Sequence, residues 1–114
     1  MPLPATLRIG HLTYRVIPLP RAAAKTCSGY CDTEVQVIAI DIKRPIDRQL
    51  EILLHEIGHA IWDALGLRAS EAEERAVAVM AAGWTQVYQS NPALLRWISA
   101  TSRATLPRLP KSRK

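Results

Sequence analysis

The sequence predicts an α+β domain in which a small, mostly antiparallel sheet precedes two long helices and a short C-terminal helix. Apolar residues alternate with polar ones in the first third of the chain, which is the period of a strand. After Pro45 they recur at spacings of three and four, which is the period of a helix. The 114 residues suffice for one hydrophobic core but not for two. We therefore expect a single domain over residues 1–102.

The predicted sheet consists of two strand pairs. Around a turn at Gly10-His11, the alternating apolar positions of the first pair are Leu7, Ile9, Leu12, Tyr14 and Val16. Pro18 closes the second strand because proline cannot donate to a strand ladder. The second pair falls between Ser28 and Ile42, where a β-branched run follows the turn-forming Asp32-Thr33.

Three helices are predicted to follow. The first runs from Ile46 to Leu65 and stops at Gly66, and the second begins at the capping-box pattern Ser70–Glu73 and ends near Asn91-Pro92. A short third helix covers Ala93–Ala100. Apolar helical faces carry three aromatic residues that we expect in the core, namely Trp62, Trp84 and Trp97.

The net charge of +5 comes from the end of the chain. Residues 103–114 contain five basic and no acidic side chains, which leaves ten of each in the rest of the protein. We expect this segment to be a disordered tail, and we do not expect nucleic acid as a partner. With no apolar run of about 18 residues and no signal-peptide pattern, we expect a cytoplasmic protein that does not contact a membrane.

One sequence motif indicates a metal-binding and catalytic site. The sequence His55-Glu56-Ile57-Gly58-His59 is an HExxH pattern in the middle of the first predicted helix. Residues four apart share a helical face, so both imidazoles reach one ion, and zinc suits these ligands. Glu56 points elsewhere around the axis, close enough to act as a general base on water at the metal.

A catalytic zinc needs a third protein ligand and an open fourth position. Asp63 lies too far along the first helix to complete the set. The first turn of the second helix is better placed, because Gly66 lets that helix fold back on the first. Both Glu73, which also fits the capping-box acid, and Glu74 stand there, and helical geometry alone does not separate them.

With these motifs, the chain resembles the small gluzincin-like zinc metallopeptidases of the ImmA/IrrE group, which include compact versions encoded by phages and mobile elements. Their third ligand is the glutamate of an E-x-x-A-[DN]-x-[FL]-A pattern, which Glu74–Ala81 matches loosely, with Ala78 in place of the usual Asp or Asn. The resemblance implies a minimal zincin-like fold, zinc held by His55, His59 and Glu74, and peptide binding along the Gly29–Asp32 strand.

The predicted function is therefore zinc-dependent hydrolysis of peptide bonds in a protein or peptide substrate, with Glu56 as general base. The alternative is a non-catalytic, metal-stabilised binding module of phage or mobile-element origin. Cys27 and Cys31 could join the two histidines in a structural Cys2His2 zinc site, which would leave no open position for catalysis. An intact Glu56 favours the enzyme, because a structural site does not need it.

Overall fold

The computed structural model describes residues 3–105 and has an α+β fold with a four-stranded sheet and three helices. The elements in chain order are β1 (Thr6–Ile9), β2 (Leu12–Pro18), β3 (Gly29–Asp32), β4 (Val37–Ile40), α1 (Ile46–Ala64), α2 (Glu71–Ser90) and α3 (Pro92–Thr105). The α+β class and the two predicted strand pairs are confirmed.

The sheet has the strand order β1-β2-β4-β3. Two of its pairings, β1 with β2 and β3 with β4, are antiparallel, and the central pairing of β2 with β4 is parallel. Gly10, with φ of 63°, turns the chain tightly between β1 and β2, because glycine adopts positive φ without strain. The central strand β4 is buried along its whole length, whereas β3 forms one edge of the sheet.

The hydrophobic core lies between the sheet and α1. Its buried members are Ile9, Tyr14, Ile38, Ile40, Ile52, Leu53 and Ala60. Helix α1 thus covers the sheet with one side and contacts α2 with another, so the fold has three successive layers. The motif histidines lie in the middle layer.

The connection between α1 and α2 is a glycine-terminated turn. The Gly66 amide donates to the carbonyl of Asp63 at 2.9 Å, and the Leu67 amide donates to that of Trp62 at 3.2 Å. This is the Schellman pattern, and it requires the positive φ of 75° at Gly66. Ser70 then caps α2 by accepting a hydrogen bond from the Glu73 amide. The predicted stop and start signals are confirmed.

Helix α3 is longer than the sequence predicted. It continues through Thr105, so residues 103–105, assigned to the tail, are helical, and the rest of the predicted tail lies outside the described residues. Residues 101–105 contain no glycine or proline that would end the helix. None of the described helices combines the length and apolar character needed to cross a membrane.

Candidate metal centre

The two motif histidines lie side by side on α1. His55 and His59 are one turn apart, their ring centroids are separated by 5.0 Å, and both side chains are half-buried. The i, i+4 spacing places both Nε2 atoms on the surface of α1 that faces the start of α2. The prediction that these residues share one helical face is confirmed.

Helix α2 brings Glu74 to both imidazoles. One carboxylate oxygen, Oε2, lies 3.1 Å from His55 Nε2, and the other, Oε1, lies 2.9 Å from His59 Nε2. One donor atom from each of these three residues falls within 4.8 Å of the others. The structure therefore brings together the three residues named as zinc ligands, and Glu74 rather than Glu73 bridges the two Nε2 atoms.

Gly58 allows the two helices to approach this closely. A Cβ atom at Gly58 would lie 2.9 Å from Cγ1 and 3.1 Å from Cγ2 of Val77 on α2. A glycine in a helix interior is destabilising by about 1 kcal/mol relative to alanine, so its presence here needs a packing reason. The motif glycine provides the space that lets α2 present Glu74 to α1.

Glu73 has a different role from the one its sequence position indicates. Its backbone amide takes part in the Ser70 cap, but its carboxylate does not complete the capping box. Instead, Glu73 Oε2 lies 2.6 Å from His59 Nδ1, the ring nitrogen opposite the one that faces Glu74. The Glu73 carboxylate contacts His59 on the neighbouring helix instead of capping its own helix, because pairing with a half-buried imidazole is the more favourable interaction.

The surrounding carboxylates favour a protonated His59. Burial lowers the pKa of His59, but the hydrogen bond with Glu73 and the charges of Glu56 and Glu74 outweigh burial, so the pKa lies above its ordinary value. A metal ion at Nε2 would displace this proton and take over the charge compensation. The site is thus electrostatically suited to a cation.

Glu56 is a buried carboxylate, with only 7% of its surface exposed. Burial raises the pKa of Glu56, although His55 and His59 act in the opposite direction. A Cβ atom at Gly29 would come within 3.4 Å of Glu56 Oε2 and 2.7 Å of Ile52 Cγ2, so β3 passes directly over α1 at this point. A glycine at the start of a strand is the sequence signal for such a close approach.

An open cleft of about 460 Å³ gives access to the site. The motif residues and Glu74 form one part of its lining, and β3 contributes Gly29, Tyr30 and Cys31. Exposed Asp63 also lines the cleft without joining the three grouped residues, as the sequence predicted. The cleft therefore runs between the edge strand of the sheet and the proposed ligands.

The cysteines do not belong to the group of possible ligands among the described residues. Cys27 Sγ donates to the carbonyl of Ala23 at 3.5 Å, and neither cysteine belongs to the group formed by the two histidines and Glu74. Burial raises the pKa of Cys31 to about 12, and the charge of Glu56 adds to this effect. Cys31 is thus a neutral thiol at pH 7 and packs against the hydrophobic core.

Two of the three tryptophans are not in the core, contrary to the sequence prediction. Trp84 and Trp97 are exposed, because the faces of α2 and α3 that carry them have no covering element among the described residues. Trp62 is half-buried, and its indole Nε1 donates to the Arg68 carbonyl at 2.9 Å. This bond anchors the α1–α2 connection beside the cleft.

Comparisons of the chain with protein-family models, with curated proteins and with solved structures give no significant match.

Proposed function

We propose that the protein is a zinc-dependent peptidase. The observation that carries this proposal is the convergence of Glu74 on the Nε2 atoms of both motif histidines, beside a buried Glu56 and at an open cleft. The family resemblance points in the same direction, since it independently names the same residues.

The donor set fits zinc. Two imidazole nitrogens and one carboxylate form a ligand set that is typical of catalytic zinc sites in peptidases. The separations of 2.9 and 3.1 Å between Glu74 and the histidines approach the spacing of atoms around one tetrahedral ion. When bound, zinc supplies Lewis-acid polarisation of the peptide carbonyl and lowers the pKa of water.

Glu56 would carry the proton from the attacking water to the leaving amine. It follows His55 directly, so its carboxylate faces the space beside the ligands without belonging to the group. Burial raises its pKa above the ordinary value of a glutamate, which improves a carboxylate as a proton acceptor. We assign Glu56 as the general base that accepts a proton from the attacking water and then transfers it to the leaving amine.

The edge strand β3 would hold the substrate. It pairs with β4 on one side only and lines the cleft. An extended peptide that pairs with its free edge would lie across the cleft, beside Glu56, by strand addition. The substrate class is accordingly an extended segment of a protein or peptide.

The test uses the zinc-loaded chain with a mixture of unstructured peptides, and mass spectrometry identifies the products. We expect new peptide termini with the wild-type chain and at least about a 100-fold lower rate with Glu56→Gln. Equal cleavage by both chains would show that a contaminant or another residue is responsible. A zinc-loaded wild-type chain that cleaves nothing would favour the binding-module alternative.

A further inference from the structure

Asp63 is a charged residue of the cleft that the proposed chemistry does not use. It follows His55 and His59 at the same spacing of four residues, so it continues their row on α1 one turn further along. Asp63 is exposed and lines the cleft, but it does not belong to the group of possible metal ligands. Its position is therefore that of a residue that contacts substrate beside the metal rather than the metal itself.

The lining of the cleft is acidic. It contains four carboxylates and two imidazoles but no described lysine or arginine, and these charged or titratable residues are His55, Glu56, His59, Asp63, Glu73 and Glu74. Glu74 would bind the metal, and Glu73 pairs with His59 at 2.6 Å. Of the other two carboxylates, Glu56 is buried, whereas Asp63 is exposed and forms no ion pair with a described residue. Asp63 thus leaves a negative charge in the cleft that nothing there compensates.

Asp63 also lies near the edge strand β3. Besides burial and the charge of Glu56, the charge of Asp63 contributes to the raised pKa of the Cys31 thiol. The buried hydroxyl of Tyr14 neighbours this thiol and has no nitrogen or oxygen partner among the described residues. This end of the cleft therefore has a carboxylate and, beneath it, an unsatisfied hydroxyl, and both groups accept hydrogen bonds from a cation.

The walls beside Asp63 are apolar. Trp62 and Leu67 line the cleft there, and the bond from the Trp62 indole to the Arg68 carbonyl holds the indole in place. A long basic side chain has an aliphatic stem and a charged end, which suits apolar walls around a carboxylate. Asp63 lies about 6 Å beyond His59 along the helix axis, and an extended peptide advances about 3.3 Å per residue. The matching side chain thus lies about two residues from the cleaved bond.

We propose that Asp63 selects substrates that carry a lysine or arginine about two residues from the cleaved bond. This inference rests on the proposed function, because it assigns a specificity-determining residue to that reaction. The selection acts on one side of the metal only. A neighbouring pocket of about 350 Å³ at the start of β3 contains Arg48 and Glu51, but these two side chains pair with each other at 3.2 Å and leave no net charge for a substrate.

Two measurements with one set of peptides test the proposal separately from the proposed function. The peptides are N-acetylated, unstructured ten-residue chains with a single lysine at successive positions, and each has a partner with norleucine, which has a similar aliphatic stem without the charge. Mass spectrometry of digests by the zinc-loaded wild-type chain gives the cut position and the relative kcat/KM. Isothermal titration calorimetry with zinc-loaded Glu56→Gln gives the affinity for each peptide without turnover.

We expect lysine to be preferred over norleucine by about 5-fold at low salt in both measurements, and at one fixed distance from the cut. The preference should fall towards equality in 0.5 M salt, because salt screens an exposed ion pair. Asp63→Asn should abolish it. Asp47→Asn is the matched control, since it removes the same charge from α1 but lies outside the cleft, and it should keep the full preference.

Binding that prefers lysine through Asp63 without any cleavage would support the subsite and reject the peptidase. Cleavage without a lysine preference, or a preference that persists in Asp63→Asn, would overturn the subsite and leave the peptidase in place. Equal loss of the preference in Asp47→Asn would also overturn it, because net charge would then be responsible. Unacetylated norleucine peptides that bind as tightly as the acetylated lysine peptides would overturn it too, since Asp63 would then hold a terminal amine.

Discussion

The close contact of Gly58 with α2 leads to a prediction for two matched substitutions, Gly58→Ala and Gly83→Ala. Both glycines lie inside long helices, so both alanines gain about 1 kcal/mol of helix propensity. A Cβ atom at Gly83 meets no atom within 4 Å, but at Gly58 it lies 2.9 Å from Val77 Cγ1 and 3.1 Å from Cγ2. Because the χ1 rotamer of β-branched Val77 is restricted in a helix, side-chain rotation does not relieve the overlap with Cγ1 and Cγ2, and α2 must shift.

The propensity gain cancels between the variants, so the difference in their unfolding free energies reports the overlap alone. Overpacking of this kind costs about 1–3 kcal/mol, which corresponds to a difference of about 5–20 °C in melting temperature for a domain of this size. Thermal unfolding followed by circular dichroism in EDTA measures it. Zinc should also raise the melting temperature of Gly58→Ala less than that of Gly83→Ala, because the shifted α2 carries Glu74. Equal melting temperatures in EDTA would refute the close packing of the two helices.

Three further predictions concern the carboxylates and the thiols. Competition with a zinc chelator measures the zinc affinity of three variants. Glu74→Gln should weaken zinc binding by about 100-fold or more and Glu73→Gln by about 10-fold, whereas Glu56→Gln should leave it unchanged. A reversed order for Glu73 and Glu74 would contradict the ligand assignment. In EDTA, Glu56→Gln should be more stable than wild type at pH 7, because the raised pKa of Glu56 means that its ionised form destabilises the folded protein. The difference should vanish below about pH 4, where the carboxyl is protonated in both the folded and the unfolded chain. Urea unfolding at pH 7 and below about pH 4 measures both stabilities. A chain with Cys27→Ser and Cys31→Ser should bind one zinc per chain by elemental analysis, and loss of the metal would favour the Cys2His2 site.

Local patterns were sufficient to predict the elements that form the site. The period of apolar residues, the Gly66 stop and the Ser70 cap act within a few residues, so α1 and α2 are present as predicted. The HExxH spacing fixes which face of α1 carries the histidines for the same reason. Placement of Glu74 needed the family pattern in addition, because the helical wheel alone left Glu73 and Glu74 equivalent.

Three features that depend on contacts between distant residues were not predicted. The parallel pairing of β2 with β4 joins strands separated by β3, and no local signal specifies it. The contact of Glu73 with His59 spans 14 residues and competes with a capping role that the sequence pattern favours. The exposure of Trp97 depends on how α3 packs against the rest of the fold, which its own apolar pattern does not specify.

The central claim is that His55, His59 and Glu74 hold one zinc ion with an open fourth position. X-ray absorption at the zinc edge of the loaded protein tests it most directly. We predict only nitrogen and oxygen neighbours at about 2.0–2.2 Å, two of them imidazoles, with one oxygen exchangeable for an added inhibitor. Sulfur neighbours at about 2.3 Å would contradict the claim and establish a closed structural site that includes the cysteines.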